Sequence, residues 1–265
     1  LLSYSPHRRA RKTLLTRYLH EACREGACAR DPLFREMPKG PPMAAMKLYM
    51  TPGSCSTAIH IILEELEETF EAHVVNLPAG EQFKPDYVAI NPKSTIPTLV
   101  RRDGTSLTEV PAIAYWLARS YPRARLWPNG IESECRLIEA MAYVVGTIHG
   151  QGFARIFATS TFARNPADHD SVRDLGRDIV AKGFAILNNT IETGPYLAGD
   201  YSVADAILFY VEFWADKTNI ALPDSLVTHY MRMLARPAVQ RVLREEGYNT
   251  ATLARFSRRE DQDAG

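Results

Sequence analysis

Cys55 stands where a short apolar strand, a Pro-Gly turn and a helix meet, in the run MKLYMTPGSCSTAIHIILEEL that begins at Met46. A thiol at a helix start lies among backbone N–H groups that have no partner inside the helix. Those groups and the helix dipole favour negative charge. A cysteine there is expected to lean toward thiolate, the form that reacts. The competing reading is a small buried hydrophobe, the ordinary place of a free cysteine. Glu109 precedes a second helix start, where an acid contributes about 0.3–1 kcal/mol by complementing the dipole. Ile96-Pro97 opens a strand, and such a bond is cis about one time in twenty. His149 lies among Gly146, Gly150 and Gly152. Each glycine in a helix costs about 1 kcal/mol relative to alanine, so three together predict a bend or a close approach.

The elements that must hold these residues follow from pattern. KLYM (47–50) reads as a strand ended by Thr51-Pro52-Gly53. Ile59, Ile62, Leu63 and Leu66 recur at helical spacing. A second strand is expected over 70–77 and a turn with a short, Pro-interrupted helix over 78–92. A third strand spans 96–100, Arg102-Asp103-Gly104-Thr105 supplies a hairpin turn, and Ser106–Thr108 is a fourth strand. Pro111–Ser120 reads as a helix with proline in its first turn. The order is βαβαββα over 46–121. Residues 122–131 form a linker, and 132–248 read as wholly helical. There Ile138, Met141, Val145 and Ile148 are expected to share one face. A second helix is expected over 169–193. SVADAILFYVEFW (202–214) is apolar almost all round, as in a helix buried on every side. Ser202 and Asp205 have capping-box spacing. Further helices follow near 224–235 and 237–246, and 249–265 reads as a polar tail whose last dozen residues are frayed.

Composition sets limits. The 265 residues are 46% hydrophobic with a formal net charge of zero. No global field therefore draws the chain toward nucleic acid or an anionic membrane. No apolar run reaches the roughly 18 residues of a membrane span. The four cysteines, at 23, 28, 55 and 135, form no CxxC pair and no zinc spacing. A reducing, cytoplasmic setting and no metal site are expected. Residues 1–45 hold nine Lys/Arg against four Asp/Glu, a net of +5. They read as an N-terminal extension, disordered or non-native, with Met43 or Met46 opening the functional protein. A basic targeting or partner-binding arm is the alternative.

A βαβαββα unit followed by helices resembles the soluble glutathione transferase family, with a thioredoxin-like first domain and a helical-bundle second one. Four stretches carry the resemblance. MKLYMTPGSCS is similar to the start of the bacterial beta class, NPKSTIPTLV to the family's cis-proline stretch, DGTSLTEVPAIAYWLA to its γ-glutamyl-binding stretch, and LAGDYSVADAILF to its capped, buried helix.

The resemblance implies that glutathione is the co-substrate and that Cys55 faces its sulfur. It implies a cis Ile96-Pro97 bond, with the Ile96 main chain pairing to the cysteinyl part of glutathione. Glu109 would receive the γ-glutamyl ammonium, while the Val110 N–H holds the α-carboxylate. His149 would reach toward the cysteine as an imidazolium and favour thiolate, the competing reading being a packed core histidine. Met50 stands where many beta-class members have tyrosine, Gly150 where they have lysine, and Val110 where the family has serine. His60 and His73 read as structural or surface residues. Phe153, Phe157 and Trp214 are expected to line the second-substrate pocket. The implied function is conjugation of glutathione to an electrophile, or exchange with disulfides through Cys55, by a homodimer. The alternative is a non-catalytic protein of the same fold that binds a macromolecular partner.

Overall fold

A computed structural model describes residues 44–191, 194–249 and 253. The expected extension, with Cys23 and Cys28, lies outside the described residues except for Ala44 and Ala45.

Four strands form one sheet: β1 (Met46–Met50), β2 (Phe70–Val74), β3 (Thr98–Val100) and β4 (Ser106–Thr108), in the order β2-β1-β3-β4. β2 runs parallel to β1, β3 antiparallel to β1, and β4 antiparallel to β3. A parallel pair needs a crossover, and helix α1 (Ser56–Glu65) supplies it. Met46, Leu48 and Met50 point from β1 into the core, while Lys47 and Tyr49 on the other face are half-buried. The short α2 (Pro85–Val88) precedes β3, and α3 (Val110–Ser120) follows β4. The third strand begins at Thr98, two residues later than expected, after a cis Ile96-Pro97 bond.

The helical part opens with α4 (Ile131–Tyr143), which runs on as a π-helical segment (Val144–Phe153) and ends as α5 (Ala154–Phe157). α6 (Thr159–Phe162), α7 (His169–Ile191), α8 (Val203–Thr218), α9 (Asp224–Ala235) and α10 (Pro237–Glu245) complete it. The face expected on the long helix holds at Met141 and Ile148 and shifts by one residue at its other two positions. Leu137, Met141, Val144 and Ile148 are buried, whereas Ile138 is 49% exposed and Val145 half-buried. Both rows satisfy i, i+3/i+4 spacing, and packing selects one of them. Within the expected polar tail Leu253 is buried in the core, and the last dozen residues lie outside the described residues.

α8 is buried from Val203 to Asp216. The Asp205 carboxylate accepts from the Ser202 N–H (2.8 Å) and from Ser202 Oγ (2.9 Å). His229 on α9 lies between Glu212 (2.9 Å) and Asp205 (3.3 Å). Burial opposes a charge on His229, but the two carboxylates carry it up to about 9. Among the described residues no helix is long and apolar enough to cross a membrane.

The π-helical segment and α7 approach closely through glycines. A Cβ on Gly176 would lie 2.8 Å from the Gly152 carbonyl oxygen, and one on Gly183 would lie 2.6 Å from Ile148 Cγ1. A Cβ on Gly146 would meet nothing within 4 Å. Gly176→Ala should therefore destabilise the protein by about 1–3 kcal/mol through overpacking against backbone. Gly146→Ala should leave the denaturation midpoint unchanged or raise it. A second expectation concerns pH. The folded value for His229 exceeds the ordinary 6.5, so its stabilisation is fully present below pH 6.5 and lost as pH rises through about 9. Urea midpoints should fall across that window; a flat profile would mean a neutral His229.

Candidate active site

The turn before α1 is held by its own hydroxyls. Ser54 Oγ donates to the Thr51 carbonyl (2.7 Å), and Thr51 Oγ1 donates to the Val75 carbonyl (2.6 Å). Both hydroxyls are thus committed to main chain and do not activate a thiol. Cys55 occupies the N-cap position of α1 and is 7% exposed. Its Sγ donates to the Ile96 carbonyl at 3.6 Å.

The expected bias toward thiolate is not found. Burial pushes the Cys55 thiol up to about 12. The backbone N–H groups of Cys55 and Ser56 act in the expected direction but are outweighed, and Glu109 nearby adds to the rise. Loss of hydration exceeds the effect of a helix start because α1 is enclosed from Ser56 to Leu63.

A cavity of about 770 Å³ opens beside the thiol. Cys55, Ile96 and His149 all line it, with Ser94 and Thr95 on the sheet side. Phe157, Phe213, Trp214 and Tyr248 give it an aromatic wall, and Lys217 is the one lysine or arginine along it among the described residues. Pro97, Glu109 and Val110 do not reach this cavity. Pro97 and Val110 are buried, and the exposed Glu109 pairs with Lys93 Nζ at 2.8 Å. Met50 is buried in the core, so its position offers the cavity no side chain. Phe153 is fully buried and supports the wall from behind, with ring centroids 5.6 Å from Phe157 and 5.3 Å from Trp214.

His149 projects from the π-helical segment, a rare form that recurs at functional sites. Its ring meets Trp214 edge-on at 4.9 Å, and Nδ1 lies 3.1 Å from Tyr210 Oη. Burial lowers His149 to about 4, so it is neutral and not the expected imidazolium. Burial also holds the Tyr210 phenol protonated, well above its ordinary value. With the Tyr210 O–H donating to Nδ1, Nε2 carries the ring hydrogen.

Sequence reasoning missed Tyr248 and Lys217, which belong to no motif. Gly53 carries a signal that its Pro-Gly context only half reveals. Its φ is +71°, and a Cβ there would fall 1.9 Å from Tyr248 Oη. Trp214 Nε1 donates to the Gly53 carbonyl at 2.7 Å.

With this geometry in place, comparison with known proteins identifies the class. Residues 53–120 match the family description "Glutathione S-transferase, N-terminal domain". The chain is 34% identical over 207 residues to glutathione S-transferase GstA of Escherichia coli O157:H7, covering 76% of this chain and 99% of that protein. A glutathione transferase homologue from Sulfitobacter, solved with bound glutathione, superposes with a TM-score of 0.71 at 31% identity, covering 77% of this chain and 99% of the other. The bacterial beta-class glutathione S-transferase of Sphingomonas chungbukensis does so with a TM-score of 0.66 at 28% identity, covering 77% and 100%. The chain belongs to the glutathione S-transferase family. These relatives support a transferase over a non-catalytic protein of the same fold.

Alkylation by iodoacetamide, resolved by mass spectrometry at Cys55, should keep accelerating as pH rises beyond 9. A plateau reached below pH 8 would show that the thiol ionises in the ordinary range and that burial does not govern it.

Proposed function

We propose that this glutathione transferase binds glutathione in the cavity beside Cys55 and joins its sulfur to an electrophile seated against the aromatic wall. The observation that carries the reading is the convergence of Cys55, Ile96 and His149 on one cavity. The cysteinyl main chain of glutathione pairs with the N–H and carbonyl of Ile96, in the manner of an added strand. Pro97 sets that edge. Glu109 exchanges its Lys93 contact for the γ-glutamyl ammonium, and the Val110 N–H at the start of α3 receives the α-carboxylate.

In the conjugation step the glutathione thiol gives its proton to solvent, the thiolate forms the carbon–sulfur bond, and the leaving group departs with its electron pair. The neutral His149 stabilises the thiolate as an N–H donor rather than as a charge. Cys55, held as thiol, offers a second donor in place of its present contact with the Ile96 carbonyl. The raised Cys55 thiol favours conjugation over the alternative in which Cys55 attacks a disulfide of glutathione.

Two domains, 46–121 and 132–248 with a linker at 122–131, a homodimer and a cytoplasmic setting complete the proposal. Exposed Tyr115 (45%), Ile131 (73%) and Ile138 (49%) on α3 and α4 support self-association. Formal neutrality of the chain supports partners that are small molecules rather than nucleic acid.

The chain should be retained on immobilised glutathione and released by free glutathione. Cys55→Ser should keep conjugation of a model aryl halide to within about tenfold, since a hydroxyl replaces the thiol as donor. It should abolish any reduction of glutathione mixed disulfides. Loss of conjugation with reduction intact would invert the assignment, and no retention on glutathione would remove it.

A further inference from the structure

We propose that Glu246, just beyond the end of α10, is a positioning residue for the turn that carries Cys55. Its Oε2 accepts from the Gly53 N–H (2.7 Å) and from Thr57 Oγ1 (2.7 Å). Its Oε1 lies 2.9 Å from His60 Nδ1 on α1. The carboxylate is buried at 8% exposure. On the other side of the same glycine, Trp214 takes up the carbonyl. Both main-chain groups of Gly53, two residues before the thiol, are therefore fixed by side chains of the helical part.

Docking alone does not account for this placement. α1 is already tied to the same region by Glu64 with Arg241 (2.9 Å) and by Glu65 with Arg236 (2.8 Å). Those pairs lie at the far end of α1 and leave the turn untouched. What Glu246 adds is a charged acceptor on the peptide that shapes the cavity wall. His60 holds the carboxylate in place from behind, with Glu245 at 3.4 Å on its other nitrogen. Burial works against a charge on His60, but these two carboxylates bring it up to about 9. Without the carboxylate, the Gly53 N–H loses its acceptor and the turn gains freedom to move Sγ relative to Ile96.

The effect on glutathione rests on the cavity reading above, whereas the effect on the thiol does not. The test uses the full chain with Glu246→Ala, Glu246→Gln and, as a docking control, Glu65→Gln. Glu246→Ala should change the Cys55 alkylation rate at fixed pH by about tenfold, the order expected when a hydrogen bond to a charged group is lost. KM for glutathione should rise by a similar factor, with kcat altered less. Glu246→Gln keeps an acceptor for the Gly53 N–H and should show a smaller shift of the same sign, about threefold. Glu65→Gln should lower the melting temperature while leaving alkylation and KM at wild-type values.

A folded Glu246→Ala with wild-type alkylation would overturn the proposal, as would a Glu65→Gln that shifts alkylation equally. If Glu246→Ala does not fold, Glu246→Gln decides, and a change below about twofold overturns it. Altered alkylation in a chain that binds no glutathione would support the positioning role and reject the glutathione reading instead.

Discussion

Enclosure of α1 is the constraint from which the site's chemistry follows. The helix crosses between two parallel strands and is then covered by α8, so eight consecutive residues from Ser56 to Leu63 are buried. A helix open on one face would let water reach its first turn. Here the first turn is buried, and a thiolate at Cys55 would lose its hydration. The same enclosure brings His60 into the interior, where it needs carboxylates, and brings the aromatic side chains of α8 against the Cys55 turn. Dehydration, the ion pair and the shape of the cavity are three results of one packing arrangement.

Much of the architecture was legible because it is local. The alternation in β1, the Pro-Gly turn, the hairpin at Asp103-Gly104 and the capping box at Ser202 and Asp205 each depend on a few adjacent residues. Convergence of Cys55, Ile96 and His149 was legible only through resemblance. Quantities set by distant contacts were not legible. Leu137 and Ile138 fit the helical pattern equally, and only packing chooses between them. The sign of the helix-start effect on Cys55 was readable, but its size relative to burial was not. His149 shows the same pattern, since its neutrality comes from burial beside Tyr210 and Trp214, both contributed by α8. Phe153, expected on the cavity wall, lies behind it, packed against Phe157 and Trp214.

The two buried histidines show how this interior accommodates charge. His60 lies with Glu245 and Glu246, and His229 with Asp205 and Glu212. Isolated charges at such depth are strongly unfavourable, and removing one partner of a buried pair costs about 3–5 kcal/mol. A pair of this kind adds little net stability over well-packed apolar residues, but it tolerates few alternative arrangements. One cluster fixes α9 on α8, and the other fixes the end of α10 on α1.

The hydrogen bond between Gly53 and Glu246 spans 193 residues of sequence. Translation proceeds from the N-terminus, so the sheet and its glycine turn are synthesised long before the acid that grips them. Until α10 and Glu246 have been made, the nascent chain holds Cys55 beside an unfinished wall. A partly synthesised copy therefore lacks the aromatic and acidic side chains that shape one wall of the cavity, and the last helices supply them.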